Sequence, residues 1–167
     1  MIYSDVYIGV GSNLGNRYSS IKFALEKIKL KCRFVKESSL YESSAQGFAR
    51  QPHFINCAFE VVTSLSPWGM LKLIGEIESS FRRGRIFPNA PRSLDLDILF
   101  WGKRHIDFPG LSVPHPRVLE RGFALAPLIE LRPEFYHPIK QVMLRDAYES
   151  LPISQKPVRL NTILSLS

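Results

Sequence analysis

The sequence predicts an α+β sandwich: a mostly antiparallel sheet in the order β-α-β-β-α-β, with two helices on one face and extra helices toward the C-terminus. Three observations predict it. Four short apolar segments, around 6–10, 33–42, 53–63 and 94–100, have the length and patterning of strands. Stretches with helical spacing fill the first and third intervals, and only a polar loop fills the second. No repeat, low-complexity tract or linker interrupts the 167 residues, which is the length of one domain with a sizeable core. This element order is that of the ferredoxin-like sandwich, a fold that hosts many chemistries and selects none. It is expected to leave the second sheet face free for a site.

Each element has a local reason. VYIGV, residues 6–10, is a short apolar strand, and GSNLGNR at 11–17 reads as a Gly/Asn-rich turn. Ile21, Leu25 and Ile28 recur at helical spacing over 17–30. A strand over 33–42 precedes the polar loop SSAQGFARQP. HFINCAFEVVT, residues 53–63, is a strand with Phe54, Asn56, Ala58 and Glu60 on one face. Ser66 and Pro67 are an N-cap and an N1 proline. The helix they open runs to about Phe81, with Leu71, Ile74, Ile77 and Phe81 as its apolar stripe. Beyond residue 116 the pattern gives short helices, roughly 117–130 and 142–149, and an irregular tail.

The strand 94–100 raises the chemical question. Asp95 and Asp97 share one face, with Leu94, Leu96 and Ile98 on the other. Aspartate is depleted in strands, and two carboxylates this close repel unless a positive charge lies between them. A half-exposed strand with its polar face in water would explain the pair. So would a site for a hard divalent cation such as Mg²⁺. The net charge of +7 suggests an anionic partner, and Arg82, Arg83, Arg85 and Arg92 all fall within residues 82–92, just before the aspartates. A metal pair beside an arginine cluster suits polyphosphate chemistry.

Other classes are disfavoured. No stretch is long and apolar enough to cross a membrane, and the first residues lack the basic start and apolar run of a secretory leader, so a cytoplasmic protein is expected. Cys32 and Cys57 have no metal-like spacing and are expected to be reduced and buried. An RNA-recognition sheet needs exposed aromatics on its central strands. Carboxylates there would repel a phosphate backbone, so nucleic acid is not an expected partner.

Four separated segments resemble the 6-hydroxymethyl-7,8-dihydropterin pyrophosphokinases of folate synthesis, over about residues 5–135. They are GSNLGNR at 11–17, SSLYESSAQGFARQPHFINCA at 38–58, APRSLDLDILF at 90–100 and SVPHPRVLERGFALAPL at 112–128. The resemblance implies a ferredoxin-like fold and transfer of the β,γ-diphosphate of ATP, a co-substrate, to the pterin hydroxymethyl group. It implies two Mg²⁺ ions held by Asp95 and Asp97, with Asp95 also near the hydroxymethyl group. Arg83, Arg85 and Arg92 match positions that hold triphosphate oxygens, Arg83 and Arg92 with catalytic roles. Glu78, His115 and Arg121 match nucleotide-side positions, and Ile98 and Ser112 would line the adenosine pocket. Phe54 and Phe123 match the two rings that stack on the pterin. Asn56, Ser43, Ser44 and Gln46 match the groups that read its edge. Small-molecule substrates and a monomer are expected.

The resemblance fails in two places. RRGRIFPNAP, residues 82–91, has Pro88, Asn89 and Ala90 where the family often has a basic residue, tryptophan and glycine. Weaker nucleotide binding or slower closure is expected from that change. The tail after about residue 140 matches weakly and carries no assigned role.

Overall fold

The computed structural model describes residues 2–45, 51–80 and 94–162. In chain order these form β1 (Ser4–Ser12), α1 (Arg17–Lys29), β2 (Arg33–Glu37), β3 (Tyr41–Ser43), β4 (Phe54–Thr63), α2 (Pro67–Ser79) and β5 (Asp95–Trp101). A hairpin of β6 (Ile106–Phe108) and β7 (Leu111–Val113) follows. Then come a 3-10 turn at Val118–Glu120, α3 (Gly122–Leu131), α4 (Leu144–Glu149), a 3-10 turn at Ile153–Gln155 and β8 (Val158–Arg159).

The main sheet has the order β5-β1-β4-β3-β8, with β2 also paired to β4, and every pairing is antiparallel. This is the predicted α+β sandwich. Its helix-side core has a simple cause. The even positions of β1 (Val6, Ile8, Val10) and the odd positions of β4 (Ile55, Cys57, Phe59, Val61) share one face. On them lie Ile21, Leu25 and Ile28 of α1 and Met70, Ile74 and Ile77 of α2. Asn16 caps α1 by accepting from the Ser19 N–H, and Ser66 caps α2 by accepting from the Gly69 N–H, as the sequence indicated for α2.

Several boundaries differ from expectation. β1 runs on to Ser12, so Gly11 and Ser12 belong to the strand and not to the turn. The expected strand 33–42 is two strands along β4, because Ser38 leaves the ladder: its hydroxyl accepts the Ala58 N–H (2.9 Å) while its own N–H donates to the Ala58 carbonyl (3.0 Å). Phe81, expected at the end of α2, lies outside the described residues. The expected helix over 117–130 is a 3-10 turn followed by α3, and the strands β6, β7 and β8 have no counterpart in the sequence reading.

The second face of the sheet is not free along its whole length. A bulge in β5 puts both Leu99 and Phe100 on it, beside Tyr7 and Ala58. Leu125 and Leu128 of α3 and Leu144 of α4 cover that end. α3 is also fixed by charge. Arg132 pairs with Glu60, which is 1% exposed, and donates to Tyr7 Oη, while Lys36 donates to the Leu131 carbonyl. The cover stops short of the other end, where a cleft opens. No helix of the described residues is long and apolar enough to cross a membrane.

Candidate active site

The cleft floor is made by strand register. Gly9 lies between Asp97 of β5 and Ala58 of β4, and Gly11 lies between Asp95 and Asn56. A side chain at either glycine would intrude. A Cβ on Gly11 would sit 2.9 Å from Asn56 Oδ1, and one on Gly9 would sit 3.0 Å from Leu99 Cδ1. The glycines thus keep the middle strand bare, with two carboxylates along one side and an amide along the other. The cleft encloses about 290 Å³, near the lower end of small-molecule sites.

One wall offers an aromatic slot. Phe54 begins β4 and Phe123 stands in the first turn of α3, and both line the cleft. Asn56 donates from Nδ2 to Ser43 Oγ (2.8 Å), which turns its Oδ1 over Gly11. One amide N–H that the sequence reading offered to a ligand is therefore spent on Ser43. Ser43 and Ser44 close this wall. Gln46 lies outside the described residues. The turn after β1 braces the slot: Asn13 Nδ2 donates to Gln51 Oε1 (3.2 Å) and to the Pro52 carbonyl, and Arg17 donates to the His53 carbonyl (2.7 Å) and pairs with Glu42.

The opposite wall is cationic. Arg121 Nη1 is 3.4 Å from Asp97 Oδ2 and 3.4 Å from His115 Nε2. His115 Nδ1 accepts the Arg117 N–H (3.1 Å), which in the neutral ring places the proton on Nε2. Nε2 and Nη1 are then two donors side by side, with Asp97 Oδ2 as the acceptor that Nη1 already has. Burial pushes the His115 imidazolium down to about 4, and Arg121 and Arg117 act in the same direction, against Asp95. His115 is therefore a neutral donor at pH 7. Arg121 Nε is buried and has no hydrogen-bond partner among the described residues.

Asp95 and Asp97 are half-buried at the cleft edge, on the face the alternation predicts. Among the described residues no cluster of three or more His, Cys, Asp or Glu exists that could cage an ion. Two hard oxygen donors and no thiolate fit a cation that takes its remaining ligands from water and phosphate, which is the habit of Mg²⁺. Glu78 accepts the Leu96 N–H (2.8 Å) and so holds the strand between the two aspartates.

Two expected site residues are placed elsewhere. Ile98 is 5% exposed in the helix-side core, because alternation opposes it to Asp97, so only its main chain is left for a ligand. Ser112 donates across the β6–β7 hairpin to Asp107 (2.9 Å), and its side chain does not line the cleft. Arg83, Arg85 and Arg92, like the altered segment around Pro88, Asn89 and Ala90, lie outside the described residues. The sequence reading missed Gly9, Gly11, Gln51 and Arg117, all of which line the cleft. Gly9 could have been found by its parity in the strand read over 6–10, whereas Gly11 fell in the segment read as a turn.

A family model described as 7,8-dihydro-6-hydroxymethylpterin-pyrophosphokinase matches residues 7–133. The chain belongs to this pyrophosphokinase family. Among its relatives, a 2-amino-4-hydroxy-6-hydroxymethyldihydropteridine pyrophosphokinase of Aquifex aeolicus is 39% identical over 143 residues, covering 86% of this chain and 89% of that protein. The Bacillus subtilis protein of the same name is 40% identical over 127 residues, 75% of this chain and 76% of that one. Folic acid synthesis protein fol1 of Pneumocystis carinii is 41% identical over 87% of this chain, but the match is 20% of its own length. The chain thus spans about a fifth of the first curated relatives it matches. Solved structures share the fold. A crystal structure of wild-type Plasmodium falciparum HPPK-DHPS with pteroate has a TM-score of 0.71 at 15% identity, over 89% of this chain and 44% of that one. An HPPK-DHPS structure in complex with substrates reaches 0.73 at 14% identity, over 90% and 43%.

Proposed function

We propose that this chain, working in folate synthesis, transfers the β,γ-diphosphate of ATP to the hydroxymethyl oxygen of 6-hydroxymethyl-7,8-dihydropterin. The new bond joins that oxygen to the β-phosphorus. The bond from the β-phosphorus to the oxygen bridging toward the α-phosphate breaks, AMP leaves with that oxygen, and the hydroxyl proton is released. The observation that carries the reading is the division of one cleft into an aromatic slot, a carboxylate pair and a wall of donors.

Phe54 and Phe123 would hold the flat ring, with Asn56 Oδ1 accepting from its edge. Stacking on two fixed rings aims the hydroxymethyl group at the carboxylate side, and positioning of this kind supplies much of the rate in phosphoryl transfer. His115 Nε2 and Arg121 Nη1 would donate to phosphate oxygens, Arg121 exchanging Asp97 for the nucleotide. By the resemblance, Arg83, Arg85 and Arg92 would hold further phosphate oxygens, Glu78 would serve the nucleotide side, and Ile98 and Ser112 the adenosine. Asp95 and Asp97 would hold Mg²⁺, two ions by the resemblance, with the nucleotide supplying the other ligands. When bound, Mg²⁺ neutralises phosphate charge so that a neutral hydroxyl can approach phosphorus.

The test is product analysis with ATP, Mg²⁺ and 6-hydroxymethyl-7,8-dihydropterin. AMP should equal pterin diphosphate, and Asp95→Asn and Asp97→Asn should each lower kcat by about 10²–10³-fold. ADP as the nucleotide product would refute diphosphate transfer.

A further inference from the structure

We infer that the C-terminal segment, residues 153–160, is a clamp that sets the geometry of the aromatic slot, with Gly122 and Arg159 as its positioning residues. The inference rests on the function proposed above and assigns a role to a part of the chain that the sequence left without one.

The first anchor is a backbone contact. Gly122 opens α3 between Arg121 and Phe123. A Cβ on Gly122 would lie 2.0 Å from the Gln155 carbonyl oxygen and 3.0 Å from its carbon. Nothing larger than glycine fits under that carbonyl without moving one backbone or the other. The 3-10 turn that carries Gln155 is held by its own bonds, Gln155 N–H to the Pro152 carbonyl (2.9 Å) and Lys156 N–H to the Ile153 carbonyl (3.0 Å). Lys156 ties it down further, donating to the Glu149 carbonyl (3.1 Å).

The second anchor is on the other wall. β8 pairs with β3, Val158 with Glu42 and Arg159 with Tyr41, and the Leu160 N–H donates to the Leu40 carbonyl (2.7 Å). Arg159 reaches Ser39 Oγ (2.9 Å) and Glu130 Oε1 (3.4 Å). Glu130 is on α3 and also accepts from the Ser39 N–H, the Ser39 hydroxyl and Tyr41 Oη (2.7 Å). Four donors from three residues at one carboxylate make it a junction of α3, β3 and β8. Hydrogen bonds from Tyr41 and Ser39 and the charge of Arg159 hold its pKa low against burial, so it remains ionised and keeps all of them.

One segment thus touches both sides of the slot. β3 ends at Ser43, next to Ser44, and α3 carries Phe123 in its first turn. A cavity of about 210 Å³ lined by Phe123, Ser43, Gln155 and Val158 lies beside the slot. There the covalent run from Gln155 to Arg159 bridges the two walls, in addition to the direct bonds of Glu130 to Ser39 and Tyr41.

The test uses the full chain. Gly122→Ala and Arg159→Ala are compared with the native protein for pterin affinity, nucleotide affinity, kcat, and amide exchange at Leu160. Loosening the clamp should weaken pterin binding by about tenfold in Gly122→Ala and about threefold in Arg159→Ala, amounts on the scale of one hydrogen bond. Exchange at Leu160 should rise while kcat at saturating pterin changes less than about threefold. Arg159 is mostly exposed, so that variant keeps the test alive if Gly122→Ala does not fold. Accelerated exchange at Leu160 with native pterin affinity would overturn the clamp and leave the proposed reaction standing. A native chain that neither binds the pterin nor forms AMP would overturn the reaction and the clamp with it.

Discussion

Gly11→Ala is the substitution that tests the geometry of the slot most sharply. The new Cβ would lie 2.9 Å from Asn56 Oδ1 and 3.5 Å from Phe54 Cδ1. The first distance is inside van der Waals contact and the second is ordinary, so Asn56 must move and Phe54 need not. Turning Asn56 breaks its 2.8 Å bond to Ser43 in the free protein. That loss is felt as stability, about 1 kcal/mol, or about 2–4 °C in Tm for a chain of this size. It also turns Oδ1 away from the ligand edge, and losing that acceptor costs about 1–3 kcal/mol, or about 5- to 150-fold in pterin affinity. The phosphate side is untouched, so ATP affinity should stay within about twofold. The assay is a double-mutant cycle by pterin titration. In an Asn56→Ala background the methyl meets no carbonyl, so adding Gly11→Ala should cost nothing further. Independent losses in the double variant, or an equal fall in ATP affinity, would show that the glycine does not act through Asn56.

Two further outcomes follow from charged groups. His115 has its pKa lowered from 6.5 to about 4; between those values the unfolded chain binds a proton that the folded chain excludes, so its contribution to stability is complete above about pH 6.5 and falls as pH drops toward 4. An NMR titration of its ring protons should give a midpoint well below 6, and a midpoint at or above 6 would refute the half-buried neutral donor. Arg132→Ala should lower stability by about 3 kcal/mol, or about 6–12 °C in Tm, because it strands Glu60, 1% exposed, with Lys36 at 3.8 Å as its remaining ion pair. Thermal unfolding within about 2 °C of native would show the pair to be dispensable. The double variant Glu60→Leu with Arg132→Met should recover most of the loss, since an apolar pair removes the stranded charge.

What the sequence made legible was what short-range periodicity encodes. Alternation placed Phe54 with Asn56 and Asp95 with Asp97, and the Ser66–Pro67 signal placed α2. The missed features depend on distant partners. Ser38 reads as an ordinary strand residue until Ala58 is known to lie opposite it. A strand of two residues such as β8 has no period at all and exists because Leu40 and Tyr41 offer an edge. Gly11 was hidden in a different way: in GSNLGNR its neighbours make the composition of a turn, and only the extension of β1 to Ser12 reveals it as floor. Ile98 shows how the two readings combine. Resemblance put it at the nucleotide, and its parity, opposed to Asp97, put its side chain in the core, which leaves its main chain for that role.

The cover on the second sheet face was also written in the sequence. GFALAPLIEL is apolar nearly all round, and a helix of that kind cannot lie on one surface with its back to water. α3 is buried against the sheet through Leu125 and Leu128, and its far side is met by α4 and the C-terminal turn. That double burial has a functional consequence. A helix held on one side alone can rock about its contact, and the ring it carries at its first turn would move farthest. Anchored at its end by Arg132 on Glu60, at Glu130 by β3 and β8, and at Gly122 by Gln155, α3 presents Phe123 from a fixed base. Ordering cost is then met when the chain folds and not when ligand binds, which favours affinity for a small rigid ring that offers few contacts of its own.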